Sequence, residues 1–249
     1  MSDEKAVVLL SGGIDSSTTL VLAKSEGFEP YAISFDYNQR HKIELNFAKR
    51  FVKVIGVKEH LIVKFDLRRI GGSSLTSDME VPKREEVKLD EIPMTYVPAR
   101  NTIFLSFALA WAEVINASSI FIGANVIDYS GYPDCRPEYL NAFEHMANLA
   151  TKASVEGKIR FRIIAPLINM KKSEIIKKGV EIGLDYSLTW SCYDPQIFEE
   201  EDVTKPNKIR KILKPCKKCD SCLLRAKGFI EAGIKDPLPD YIFYESFDY

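Results

Sequence analysis

Apolar positions fall in short runs separated by stretches with helical spacing. Ala6 to Leu10 is an unbroken apolar run and predicts a buried strand, followed by a helix ending near Glu26. Tyr31 to Phe35 predicts a second strand that ends at Asp36. Ile43, Phe47, Phe51 and Val54 recur at helical spacing over His41–Val54, and a third strand follows from His60 to Phe65. Further on, a helix is predicted over Ile103–Asn116, a fourth strand over Ser119–Gly123, and a helix from Pro137 to about Thr151. A fifth strand over Ile159–Ile164 and a helix over Lys172–Ile182, closed by Gly183, complete the series. Strand–helix alternation of this kind predicts an α/β class with a parallel sheet and helices on both faces. Ligands of such sheets sit beyond the C-terminal strand ends, where Ser11–Gly13 and Asp36-Tyr37 fall.

Two regions break the pattern. Leu67–Ala99 carries no periodicity, and a loop of that length predicts a functional lid or a flexible segment. From Trp190 onwards the chain is rich in Pro, Lys and Cys. It predicts a single short helix, from about Cys219 to Ala232, in a tail too polar for a core of its own.

The turn after the first strand carries candidate chemistry. Leu10-Ser11-Gly12-Gly13-Ile14-Asp15-Ser16-Ser17 joins a strand to a hydroxyl-rich helix start. The free N–H groups of a first helical turn and the helix dipole both favour an anion there. Gly12 and Gly13, lacking Cβ atoms, let backbone approach a phosphate. The run is not a Walker A loop, which needs a lysine that this stretch lacks. It resembles the PP-loop of the ATP pyrophosphatases, which holds the pyrophosphate part of ATP.

The cysteines form the second candidate site. Cys216, Cys219 and Cys222 give C-x2-C-x2-C, and Cys192 supplies a fourth sulfur. Four thiolates at this spacing suit a closed structural Zn2+ site. An iron–sulfur cluster, the alternative, takes the same ligand set. Cys135 stands apart and reads as a buried, inert thiol.

Charge narrows the classes. Against 34 Lys and Arg stand 35 Asp and Glu, so bulk electrostatics predict no direct nucleic-acid partner. No apolar run reaches the length of a membrane span, and the polar start predicts no signal peptide, hence a cytoplasmic protein. In that compartment the five cysteines are not expected to form a disulfide framework.

Beyond the loop, seven segments spread over most of the chain resemble the QueC family of PP-loop enzymes, the 7-cyano-7-deazaguanine synthases. They are SGGIDSS at 11–17, SFDYNQRH at 34–41, VPARNTIFLS at 97–106, IGANVIDYSGYPDCRPEY at 122–139, PLINMKKSEI at 166–175, LTWSCY at 188–193 and CKKCDSC at 216–222. The resemblance implies a Rossmann-like (HUP-type) nucleotide-binding domain over 1–188 and a four-cysteine zinc region over 189–249 packed on it. It implies ATP-dependent conversion of 7-carboxy-7-deazaguanine and ammonia to a nitrile, with Mg2+ on the phosphates, in a homodimer.

Carried onto this chain, Leu10, Ser11, Gly12, Gly13, Asp15, Ser16, Ser17, Asp36 and Arg100 are expected to bind ATP. Asp15 and Lys172 are expected to act in catalysis. Asn101, Asp128, Tyr132 and Arg136 are expected to read the deazapurine, Arg136 offering its fork to the carboxylate. His41 is an acid–base candidate or an ordinary polar residue. Two positions depart from the family pattern. Asn38 replaces a glycine, and asparagine tolerates positive φ. Lys171 replaces a capping threonine, at the cost of a cap. Two other classes remain in view: a PP-loop enzyme acting on a tRNA base, and a nucleotide sensor that binds ATP without turnover.

Overall fold

The computed structural model describes residues 4–87, 91–127, 132–201 and 209–244. Its main sheet has the strand order β3-β2-β1-β4-β5, with β1 at Glu4–Leu9, β2 at Phe28–Asp36, β3 at Glu59–Lys64, β4 at Ser119–Phe121 and β5 at Arg162–Ile164. Every pairing within it is parallel. Alternate side chains of β1 divide between two cores. Val7 and Leu9 join a core with Ile33 and Phe35, under α3 (Arg100–Ile115) and α4 (Pro137–Ala150). Ala6, Val8 and Leu10 join the other, under α1 (Ile14–Ser25) and α6 (Lys172–Glu181). Burial on both faces is why β1 reads as an unbroken apolar run.

The remaining helices are α2 (Glu44–Ile55), the single turn α5 (Lys152–Val155) and α7 (Asp220–Ala232). Several boundaries differ from the periodicity, β2 beginning at Phe28 rather than Tyr31 and α3 at Arg100 rather than Ile103. Helix α2 begins at Glu44 rather than His41, α4 ends at Ala150, and β5 is confined to Arg162–Ile164. Asn38 adopts φ 63, so asparagine does supply the left-handed turn there. At Lys171 the missing cap is offset from the far side of the turn. The Glu174 carboxylate accepts the Lys171 N–H at 2.7 Å.

The long stretch after β3 contains no helix or strand among its described residues, yet it is anchored. Leu67, Leu75, Val81 and Val97 are buried in the main core. Its outer part rests on the cysteine segment: the Arg84 N–H donates to Lys218 O at 2.9 Å, and Lys83 Nζ donates to Asp194 at 2.5 Å.

The tail corrects the sequence expectation. Besides α7 it holds an antiparallel sheet of β6 (Gln196–Glu201), β7 (Ile209–Lys214) and β8 (Ile242–Tyr244). Ile212 and Leu213 are buried, and Leu213 belongs to the main core. The tail needs no core of its own because it borrows that of the sheet domain. Helix α7 packs on α6, where Gly228 makes room. A Cβ there would fall 2.3 Å from Lys172 Cγ and 2.9 Å from Ile176 Cδ1. Among the described residues no helix is long and apolar enough to cross a membrane.

Candidate active site and metal centre

A cavity of about 190 Å³ opens beyond the C-terminal ends of β1, β2 and β4. One end is the loop between β1 and α1. Ser16 Oγ accepts the Ser11 N–H at 3.2 Å and lies 3.0 Å from Ser11 Oγ. The Gly13 N–H donates to Ser11 Oγ at 3.3 Å. These local bonds curl the loop so that Ser11, Gly13, Asp15 and Ser16 all line the cavity. Above them, Lys172 at the start of α6 places Nζ 2.6 and 2.7 Å from the two Asp15 carboxylate oxygens. Both side chains are largely buried, at 7% and 16% exposure, so the pair is shielded from solvent.

The two loop glycines differ in function. Gly13 faces the cavity, whereas Gly12, at φ 86, faces α2. A Cβ on Gly12 would lie 2.7 Å from Glu44 O and 2.9 Å from Ala48 N. Gly12 is therefore required by helix packing, and its carbonyl accepts the Trp190 N–H at 2.8 Å, tying the tail to the loop. A third glycine makes room for a different helix, α1. At Gly123 a Cβ would meet Asp15 C and Ser16 N at 3.0 Å.

The other end of the cavity is aromatic. Phe104 of α3 stacks on Phe35 of β2, with centroids 4.0 Å apart and planes at 8°. Tyr37, Tyr132 and Tyr193 line the same region, with Arg100 among them. Burial alone would disfavour the Arg100 charge, but Tyr37, Tyr132, Tyr193 and Asp134 hold it raised. The Tyr37 phenol is pushed up by its own burial, against the pull of Arg100. Asn101 is locked to the turn Pro133–Cys135. Its N–H donates to Asp134 Oδ2 at 3.0 Å, and its Nδ2 donates to Asp134 O at 3.1 Å and to Cys135 Sγ at 3.3 Å. Asp134 thus caps α3 from a distant turn, where Ala99 offers no side-chain cap. Tyr132 shares a hydrogen bond of 3.0 Å with Thr95 Oγ1. Burial, reinforced by Asp134, pushes the Cys135 thiol up to about 12, which makes it a poor nucleophile.

Of the residues expected from sequence, Leu10, Ser11, Gly13, Asp15, Ser16, Arg100, Asn101, Tyr132 and Lys172 line this one cavity. Four lie off it. Gly12 faces α2, and Ser17 is fully buried inside α1. Asp36 accepts the Asn38 N–H at 3.2 Å and pairs with Lys42 at 3.1 Å, so it shapes the turn after β2. Arg136 is exposed at the N-cap of α4. Asp128 lies outside the described residues. His41, buried at the cavity wall, places Nε2 3.4 Å from Glu44 Oε1.

Sequence reasoning missed Arg225. This buried arginine of α7 forms a fork on Asp236 at 2.7 and 2.8 Å. It also donates to Thr189 Oγ1 at 2.9 Å and to Tyr186 O at 3.1 Å, fixing the strand-like segment that carries Trp190 and Ser191 to the cavity. No motif signals it, because the segment it braces, Tyr186–Ser191, lies more than 30 residues away along the chain.

Cys192, Cys216, Cys219 and Cys222 bring their sulfurs within 4.8 Å of one another. Tetrahedral Zn–S bonds of about 2.3 Å place sulfurs about 3.8 Å apart, so the donor set fits one ion. The Cys216 N–H donates to Cys192 Sγ at 3.1 Å and the Cys219 N–H to Cys216 Sγ at 3.3 Å, as expected around thiolate ligands. Thiol hydrogen bonds from the other three cysteines hold Cys216 well below the ordinary thiol range.

A parallel sheet, a glycine-turned hydroxyl loop at a strand end and a four-thiol cluster define an α/β protein with a candidate anion-binding loop and a candidate metal centre. Residues 5–233 match the family model described as "Queuosine biosynthesis protein QueC", and the chain belongs to that family. It is 59% identical over 235 residues to a protein of Geobacter sulfurreducens named 7-cyano-7-deazaguanine synthase, covering 94% of this chain and 92% of the relative. It is 60% identical over 236 residues to the synthase of the same name from Pelobacter propionicus, covering 95% and 97%. Among solved structures it is similar to NMN synthetase from Francisella tularensis, with TM-score 0.45 and 18% identity over 75% of this chain and 65% of the other.

Proposed function

We propose that this chain is a 7-cyano-7-deazaguanine synthase, converting 7-carboxy-7-deazaguanine and ammonia to the nitrile with ATP. The observation that carries the reading is the single cavity with two unlike ends. An anion-binding loop with Lys172 stands at one end and stacked aromatic rings stand at the other. A planar heterocycle and a triphosphate can meet there.

A carboxylate is a poor electrophile. Its oxygen attacks the α-phosphorus of ATP and pyrophosphate departs. Ammonia then adds to the acyl carbon, AMP leaves, and a proton goes to solvent, giving the amide. The amide oxygen is activated by a second ATP, and loss of AMP and the two N–H protons gives the nitrile. Both activations use one device, donors preorganised around the departing pyrophosphate. Ser11, Ser16 and the first N–H groups of α1 supply the donors, and Lys172 supplies positive charge. Asp15 holds Lys172 in place and is the loop carboxylate that would hold Mg2+, whose bound charge would help neutralise the phosphates. The region 1–188 is the nucleotide-binding unit in this reading. The region 189–249 is its appendage, cross-linked by Zn2+ on the four cysteines, with Trp190 and Ser191 reaching the cavity.

Purified protein supplied with ATP, Mg2+, ammonium and 7-carboxy-7-deazaguanine should form the nitrile together with AMP and pyrophosphate, read by mass spectrometry. Folded, metal-replete protein that forms no nitrile overturns the reading. Release of ADP and phosphate instead overturns the pyrophosphate-cradle mechanism. A tRNA-directed enzyme would need tRNA for turnover, and a sensor would bind ATP without product.

A further inference from the structure

Arg100 breaks several local rules at once. It is the first residue of α3, where the helix dipole disfavours a cation. It follows Ala99, which holds φ 54, a left-handed conformation that alanine rarely adopts. Its guanidinium lines the cavity, and among the described residues no carboxylate lies within salt-bridge distance of it. Phe104 lies under the guanidinium at 5.9 Å. Asp134, whose charge favours the Arg100 cation, is committed to the Asn101 N–H at 3.0 Å. A cation held in strained backbone, with no carboxylate among the described residues in salt-bridge contact, at the wall of a cavity is a receptor for an anion.

Two anionic ligands enter this cavity, and position separates them. Asp15 and Lys172 belong to helices on one face of the sheet, whereas α3 packs on the other. The strand ends therefore lie between the phosphate loop and Arg100. Around Arg100 the wall is aromatic, with Phe104 stacked on Phe35 and the rings of Tyr37 and Tyr132 beside them. Such a wall suits a planar ring, and the guanidinium fork suits a carboxylate on that ring. Arg136 is exposed and off the cavity, so it does not compete for this role.

Resting on the synthase reading, we infer that Arg100 receives the carboxylate of the deazaguanine substrate rather than a phosphate of ATP, and so selects the acid as the entering base. The amide formed from it carries no charge and is held by the ring contacts alone.

The test compares Arg100→Met and Arg100→Lys with the wild type on 7-carboxy-7-deazaguanine, on the free 7-amide of the same base, and on ATP. Arg100→Met should raise KM for the acid at least about tenfold, the loss expected for a charge-assisted bond. Arg100→Lys should fall between it and the wild type. The penalty on the amide should be several-fold smaller than on the acid, and KM for ATP should move least. Equal penalties on acid and amide, or a dominant rise in KM for ATP, overturn the inference. ATP titration calorimetry shows that each variant is folded, and Arg100→Lys carries the comparison if Arg100→Met does not fold. A wild-type protein that makes no nitrile overturns the synthase reading itself, a result distinct from an active enzyme with unselective Arg100 variants.

Discussion

Lys172 Nζ lies 2.6 Å from Oδ1 and 2.7 Å from Oδ2 of Asp15, residues 157 positions apart, and this pair closes the end of the cavity formed by the Ser11–Ser16 loop. Removing the lysine leaves a largely buried carboxylate without its counter-charge at the place where, in the proposed reaction, pyrophosphate would depart. Lys172→Met should therefore lower adenylation about 10²- to 10³-fold, as loss of one preorganised electrostatic group does. Pyrophosphate–ATP exchange in the presence of 7-carboxy-7-deazaguanine measures it. Exchange within about threefold of wild type would remove Lys172 from the mechanism.

The stem of Lys172 is held by α7. Gly228→Ala would drive a methyl group into Lys172 Cγ, 2.3 Å away, and Ile176 Cδ1, 2.9 Å away. Overpacking of this kind costs about 1–3 kcal/mol. Chemical denaturation should show that loss, and adenylation should fall with it because the lysine is displaced. A neutral substitution would mean that α6 and α7 separate freely.

Stability should depend on pH through His60. Its Nε2 lies 2.8 Å from Ser34 Oγ, which donates to Leu10 O at 2.6 Å beside the loop. Burial, helped by Lys49, lowers the His60 pKa to about 4. The unfolded imidazole titrates near 6.5, so the unfolded chain binds more protons between these values. Stability is therefore complete above about pH 6.5, falls as pH drops through that window, and levels off below about 4. Partial exposure reduces the expected loss to about 1–2 kcal/mol. Denaturation midpoints measured from pH 7 to 4 should show this slope, and His60→Gln should flatten it. An unchanged slope in the variant would place the titration elsewhere.

Metal removal should reach beyond the tail. Arg84 and Lys83 dock the long loop on the cysteine segment, and that loop leads into Val97 and Arg100. Cys219→Ser should lose the metal, lower the melting temperature and open both the tail and the 77–87 stretch to limited proteolysis. Metal analysis should return zinc. A coloured protein with iron and sulfide would replace zinc by an iron–sulfur cluster. A tail that is cut while the loop stays protected would refute the coupling.

Cys135 should stay unmodified by iodoacetamide in the native protein at pH 8, because its thiol is pushed up to about 12 and its thiolate is scarce. It should react once the protein is denatured. Mass spectrometry of digests separates the two states, and rapid native labelling would contradict the buried, neutral thiol.

Much of the architecture was legible because its signals are local. Apolar runs mark β1 and β2 since both faces of the sheet are covered, and helical spacing marks α2 and α3. The loop at Ser11–Ser17 and the cysteine spacing are legible for the same reason, since each is a short segment whose residues act together. The tail sheet was hidden. Its strands carry the charged runs Phe198-Glu199-Glu200 and Ile209-Arg210-Lys211, and Leu213 finds its core in another part of the chain.

The sequence by itself determined the alternation of strands and helices, the anion-binding turn and the four thiols, because these depend on neighbours along the chain. Only the tertiary structure decided which residues share the cavity. It turned Gly12 towards α2, left Asp36 and Arg136 outside, brought Arg225 in to brace the Thr189–Ser191 segment, and set Arg100 among aromatic rings across the strand ends from Lys172. The physical reason is that direction, burial and counter-charge are set by the partners each side chain meets in the folded chain, some of them more than 150 residues away, and no local pattern of residue types encodes them.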